Sequence, residues 1–179
     1  MKLEPAKPSD TSALHRLIEA AYRGDSARRG WTHEADLLDG QRTDVEAIAG
    51  MLADPAQHLL LHRSDGELDG CIAVSEKGDG RVYLGLVTVD PGRQGSGVGG
   101  GLLAAAEAFA ARGLQALRAE ITVISQREEL IAWYERRGYR RTGERRPFPY
   151  DDPRFGLPRR GDLEFVVLEK ALSSPSSEA

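Results

Sequence analysis

A mixed α/β domain is predicted by the order of two patterns along the chain. Three short β-type runs, residues 58–63, 68–75 and 81–89, are separated only by Ser64-Asp65-Gly66 and Gly78-Asp79-Gly80. Such short, turn-rich connections make the three strands antiparallel neighbours. The third run then enters a glycine-rich turn, a helix and a strictly alternating run at 117–124, which together read as a right-handed crossover between parallel strands. At 179 residues, 40% hydrophobic and 29% charged, the chain suits one globular domain with a substantial core, expected to span residues 1–172.

The remaining elements follow from periodicity and punctuation. A short strand opens the chain, and a helix starts near Asp10, with Leu14, Leu17, Ile18 and Ala21 at helical spacing and Gly24 as a stop. Thr43-Asp44-Val45-Glu46 has the form of a capping box for a second helix, whose apolar face is Ile48, Met51 and Leu52 and whose end is Asp54-Pro55. After the glycine turn, a helix runs to about Arg112 and stops at Gly113; in the alternating run that follows, Leu117, Ala119, Ile121 and Val123 share a face. The next helix has Glu128 and Glu129 in its first turn, Arg136 and Arg137 in its last and Gly138 at C′, complementing its dipole at both ends. Two closing strands, 139–145 and 163–168, flank a long aromatic-containing loop at 147–161, and the polar low-complexity residues 173–179 are expected to be disordered.

Composition narrows the function classes. A formal net charge of −4 argues against nucleic acid or a membrane surface as the main partner, because both select a basic face. Met1 to Ala6 lacks the apolar core of a signal peptide and no run is long enough to span a bilayer, so a cytoplasmic protein is expected. The single cysteine, Cys71, sits in an apolar run and reads as a small buried hydrophobe. His15, His33, His58 and His62 are scattered without carboxylates or thiols at ligand spacing, so no metal site is expected.

The chemistry concentrates in Val89-Asp90-Pro91-Gly92-Arg93-Gln94-Gly95-Ser96-Gly97-Val98-Gly99-Gly100. Glycines at 95, 97 and 99 can take backbone angles that let consecutive N–H groups converge on an anion, and the helix behind them adds the positive end of its dipole. Two cofactors suit such a turn. Gly95 to Gly100 satisfies the G-x-G-x-x-G dinucleotide pattern, with Glu120 about 20 residues on, although Glu120 falls in mid-strand and three antiparallel strands precede the turn. Without Gly-Lys-Ser/Thr, a nucleoside-triphosphate loop is excluded.

The other reading rests on two motifs. Gln94-Gly95-Ser96-Gly97-Val98-Gly99 resembles the Q/R-x-x-G-x-G/A acetyl-CoA signature of the GCN5-related N-acetyltransferases (GNAT), and Trp133-Tyr134-Glu135-Arg136-Arg137-Gly138-Tyr139 resembles that family's aromatic-Tyr-Glu-Lys/Arg-x-Gly-aromatic motif. The resemblance covers residues 2–172. It implies a mostly antiparallel sheet of about seven strands flanked by helices and splayed between the fourth and fifth strands, and direct acetyl transfer from acetyl-CoA to a primary amine on a small molecule or peptide. Family members are often dimers, which makes a homodimer an expectation.

The resemblance also implies roles. Main-chain N–H groups of Gln94, Gly95, Ser96, Gly97, Val98 and Gly99 would bind the pyrophosphate, and backbone around Leu86, Val87 and Val89 would meet the pantetheine arm, with Gly85 as the bulge that opens the splay. Tyr134 matches the usual general acid; a phenol with an ordinary pKa of roughly 10 keeps its proton at neutral pH. Arg127 stands where the family commonly has an Asn that contacts the cofactor. The acid many members carry on the fourth strand is missing from 81–88, which leaves Glu120, Glu34 or Asp36 as candidate bases. For the acceptor, Trp31, Glu34, Asp36, Phe148 and Tyr150 are the candidates, with Phe155 beside them. A non-catalytic acyl-CoA-binding domain and a nicotinamide-dependent oxidoreductase are the competing readings.

Overall fold

The structure, a computed structural model, describes residues 1–172; the expectation for 173–179 lies outside them. Its strands are β1 (Glu4–Pro5), β2 (Leu38–Asp39), β3 (Gln57–Ser64), β4 (Glu67–Gly78), β5 (Arg81–Val89), β6 (Arg118–Ile124), β7 (Arg140–Pro147), β8 (Leu157–Pro158) and β9 (Glu164–Ala171). Its helices are α1 (Thr11–Tyr22), α2 (Gly24–Ala27), α3 (Val45–Ala53), α4 (Val98–Gly113) and α5 (Glu128–Glu135). Seven strands form one sheet in the order β1-β3-β4-β5-β6-β9-β7, antiparallel except for the β5–β6 pair; β2 and β8 form a separate pair. The predicted seven-stranded sheet and its single parallel junction are both present.

Helices cover both faces, which explains why the middle of β4 reads as a continuous apolar run. Ile72 and Val74 point to the layer holding Leu102, Leu103, Ala106 and Ala110 of α4. Their neighbours Cys71 and Ala73 point the other way, to Leu14, Leu17 and Ile18 of α1 and Ile48 of α3. The period of two thus feeds two cores from one strand.

Several local expectations are corrected. Asp44, not Thr43, caps α3: its carboxylate accepts the Ala47 N–H at 2.7 Å, while the Thr43 N–H is taken by Glu19 Oε1 at 2.8 Å. Leu117 lies before β6 and is 59% exposed, while Ala119, Ile121 and Val123 are buried as expected. Arg136 is the C-cap of α5 and Arg137 follows it, so both lie beyond the last turn. β7 begins at Arg140 because Tyr139 is withdrawn into the core, where its hydroxyl donates to Glu107 Oε1.

The parallel junction opens the molecule. β5 and β6 pair only at Arg81 with Arg118, Val82 with Ala119 and Tyr83 with Glu120, and beyond this each follows its other neighbour. On β5, Cys71 faces Thr88 and Ala73 faces Gly85, so Leu86 and Val87 together oppose Ile72. This is a β-bulge. Its left-handed residue is Leu86, with φ of 48°, rather than the expected Gly85; Gly85 is needed because a Cβ there would sit 2.9 Å from the Tyr83 ring. The Leu86 carbonyl accepts the Thr88 hydroxyl at 2.8 Å, and across the mouth of the split the Tyr83 hydroxyl meets Thr122 Oγ1 at 2.7 Å. Replacing buried Thr88 by Val removes the bond that pins the bulge at nearly constant shape. Denaturant unfolding is expected to show a loss of about 1–2 kcal/mol, and an unchanged midpoint would mean the bulge holds itself.

Candidate active site

Two cavities flank the bulge, and two tyrosines, Tyr22 and Tyr134, lie where they meet. The first lies over the glycine turn. Gly95 and Gly97 have φ of 83° and 91°, angles that strain any L side chain, and Gly97 is the N-cap of α4 with no side chain closing the helix end. The N–H groups of the first turn, at 98–100, therefore have no helical acceptor, and Gly95, Gly97, Gly99 and Gly100 line this cavity. Val87 and Val89 form a wall, Trp31 and Thr32 a roof. Gly30, just before them, packs directly on the Gln94 side chain, where a Cβ would fall 2.3 Å from Oε1.

Arg137, a residue read in the sequence as a helix-end charge, lines the same cavity. Its guanidinium stacks 3.7 Å over the Trp133 ring, donates to the Trp133 carbonyl at 3.0 Å and lies against Gly100. Among the described residues no carboxylate approaches within ion-pair distance. Burial and the neighbouring Arg136 lower its pKa, a cation held among apolar and backbone groups beside a set of free N–H donors. Such a cradle matches a diphosphate in charge and donors.

The second cavity occupies the split between β5 and β6, bordered by Tyr83, Leu86, Glu120, Thr122, Arg146 and Phe155. Tyr22, Val87, Arg127, Leu130 and Tyr134 border both cavities. Tyr134 is 4% exposed, wedged edge-on between Trp133 and Tyr139, and its hydroxyl makes no hydrogen bond among the described residues. Burial pushes its pKa well above the ordinary phenol value, so the proton stays on Oη across the physiological range. Tyr22, the last residue of α1, donates its hydroxyl to the Val87 carbonyl at 2.9 Å, clamping the helix to the bulge. No sequence signal links residues so far apart in the chain.

Of the three candidate carboxylates, the two that border the cavity between β5 and β6 are both engaged. Glu34 is buried and receives Arg23 at 2.5 Å and Arg127 at 3.0 Å, with Arg42 at 3.9 Å. Burial opposes its ionisation, but Arg127, Arg42 and Arg23 together hold its carboxyl below the usual glutamate range. Glu120 is gripped by both terminal nitrogens of Arg146, at 2.7 and 3.1 Å, and this pairing raises the Arg146 pKa.

The other predicted residues are dispersed. Arg127 points to Glu34 and, at 2.7 Å, to Thr32 Oγ1, joining the start of α5 to the roof. Trp31 borders the cavity over the glycine turn, its ring centroid 6.4 Å from that of Trp133, and does not border the cavity between β5 and β6. Asp36 is held outside by Arg28 at 3.0 Å. Phe148 is buried with Leu38, Ile124 and Leu163 and so fills core. Tyr150 pins the closing loop, donating to the Arg160 carbonyl and accepting the Leu163 N–H. The Ser96 hydroxyl turns back to the Arg93 carbonyl, leaving its N–H as the group available to a ligand. Among the described residues, no three His, Cys, Asp or Glu side chains converge as a metal site, and no helix is long and apolar enough to cross a membrane.

The family model described as the acetyltransferase (GNAT) domain matches residues 32–148. The crystal structure of smu.2055 from Streptococcus mutans UA159 superposes with a TM-score of 0.72 over 97% of this chain and 100% of that one, at 15% identity. The ribosomal-protein-alanine N-acetyltransferase from Brucella melitensis gives 0.70 over 96% and 100%, at 17% identity. A spermidine N-acetyltransferase variant from Vibrio cholerae gives 0.67 over 97% and 96%, at 14% identity. At these identities the likeness is one of fold. No curated protein sequence matches the chain.

The Glu34 node yields a stability prediction. Glu34→Gln leaves Arg23 and Arg127 buried without their counter-charge, at an expected cost of about 3–5 kcal/mol. Because folding lowers the Glu34 pKa, its contribution is complete above glutamate's ordinary 4.5 and is lost as pH falls through the folded value. Urea midpoints measured from pH 7 down to pH 3 are expected to fall less steeply for Glu34→Gln than for the parent; parallel curves would contradict the assignment.

Proposed function

Because the chain belongs to the GNAT acetyltransferase family, we propose that residues 1–172 act as one domain moving an acetyl group from acetyl-CoA to a primary amine, by direct attack within a ternary complex. The observation that carries the reading is the pair of cavities that share Tyr134 as a lining residue, one over the glycine turn and the other between β5 and β6. A donor with a diphosphate fits the first, and an acceptor reaching the same tyrosine fits the second.

The residues divide the work as follows. Backbone N–H groups of residues 94–100 and the Arg137 guanidinium hold the diphosphate. The bulge at Leu86 and Val87 presents backbone to the arm of the donor, with its shape kept by Thr88 and Tyr22. Acetyl-CoA, when bound, supplies a thioester carbon open to an amine. Tyr134 Oη holds a proton, in a buried site that favours the neutral phenol, and delivers it to the departing sulfur. Trp31 and Thr32 roof the donor and exclude water. Glu34 and Glu120 are committed to guanidinium partners, so we assign neither as the base; the amine proton leaves to solvent through the cavity between β5 and β6.

Three outcomes follow. Tyr134→Phe is expected to lower kcat by on the order of 100-fold or more, with little change in the acetyl-CoA Kd because the hydroxyl is unpartnered; unchanged turnover would favour the non-catalytic reading. Arg137→Met is expected to weaken acetyl-CoA by about 10- to 100-fold in calorimetry, and an unchanged Kd would remove Arg137 from the cradle. Finally, the rising limb of kcat/KM against pH is expected to move with the acceptor amine's own pKa when the acceptor is changed. A limb fixed at one pH would reveal a base on the protein.

A further inference from the structure

Charge in the cavity between β5 and β6 is unbalanced. Arg42, Lys77, Arg127 and Arg146 border it, against Glu34 and Glu120. Each carboxylate is already consumed inside the protein: Glu120 by the Arg146 fork, Glu34 by Arg127 from the cavity side and Arg23 from behind. Two cations remain. The Arg42 guanidinium lies 3.9 Å from a carboxylate that two other arginines hold more closely, sits 5.2 Å from the Tyr22 ring centroid and makes no side-chain hydrogen bond among the described residues. Lys77 Nζ is 5.7 Å from the Tyr83 ring centroid, with no carboxylate within 4.0 Å among the described residues.

We infer that the acceptor carries an anionic group, a carboxylate or a phosphate, in addition to its amine, and that Arg42 and Lys77 receive it. The inference rests on the acetyl-transfer reading above and deepens it. Guanidinium donors left free at the wall of a half-enclosed cavity are suited to a planar carboxylate or a phosphate, and a neighbouring ammonium adds charge without demanding geometry. Three guanidinium groups around the single Glu34 carboxylate repel one another, and a bound anion relieves that repulsion. A polycationic acceptor adds to it. The chain as a whole carries a net charge of −4, so the local excess does not follow from the overall charge. Phe155, from the closing loop, gives the cavity an apolar border on which the carbon skeleton between amine and anion can rest.

The test compares matched amines at saturating acetyl-CoA by thiol release. The pairs are amino acids against their amides, dipeptides with free C-termini against C-terminal amides, and phosphoethanolamine against ethanolamine, with spermidine as the polycation. Calorimetry with acetyl-CoA is run first, so that failure of the transferase reading is seen separately as absent binding. Given binding, the anionic member of at least one pair is expected to show a kcat/KM at least about tenfold higher. Carboxylate pairs separate from the phosphate pair by which shows the preference. In Lys77→Met, at an exposed position that tolerates change, and in Arg42→Met the ratio within the pair is expected to fall towards one through a raised KM for the anionic member. The inference is overturned if neutral amines or spermidine are preferred, if the ratio survives both substitutions, or if acetyl-CoA binds and no anionic amine turns over.

Discussion

The cleft exists because β5 and β6 stop pairing. A parallel pair needs regular backbone hydrogen bonding along both strands, and here the register lasts from Arg81 to Tyr83 before an extra residue enters β5. With Leu86 forced to positive φ, the C-terminal half of β5 follows β4 while β6 follows β9, and backbone edges that a continuous sheet would consume face the opening. The glycine turn begins where the diverted strand ends, at Val89. One irregularity therefore sets both where a donor's phosphates can bind and where its reactive end can lie.

The shape of such a split depends on side-chain bonds beyond the sheet's own backbone ladder. Tyr22 ties α1 to Val87, and Tyr83 with Thr122 spans the mouth. The buried Glu34 then gathers Arg23 after α1 and Arg127 before α5, fixing the connection that carries Trp31 and Thr32. Buried ion pairs of this kind add little net stability against an apolar replacement, yet breaking one partner is costly. Their effect here is positional: they set the roof over the glycine turn and leave the opposite side of the node with a surplus of positive charge.

Much of this was legible in the sequence, for identifiable reasons. The meander from β3 to β5 and the crossover through α4 were written in short turns, alternation and glycines, all of them local signals. Strand order favoured the coenzyme A reading of the glycine turn over the dinucleotide one, which the G-x-G-x-x-G spacing alone could not distinguish. Side-chain partners were not legible where they join distant segments: Arg127 with Glu34, Arg146 with Glu120, Tyr22 with Val87. Aromatic residues in the closing loop were equivalent by composition, and only packing separated buried Phe148 from Phe155 at the cavity. The place of Arg137 at the cavity was not legible because a cation after a helix satisfies the dipole wherever it points; its spacing of four from Trp133, on whose ring it stacks, was the available clue. Position mattered even for correct expectations, since the bulge fell one residue past Gly85 and the α3 cap one past Thr43.

The most direct test of the central claim is amide hydrogen exchange with and without acetyl-CoA, with NAD as the control. Added acetyl-CoA is expected to slow exchange at the N–H groups of residues 95–100 and of the bulge at 86–89 together, because one donor molecule would bridge the glycine turn and the split strand. Protection by NAD instead, or protection by acetyl-CoA at neither segment, would contradict the account.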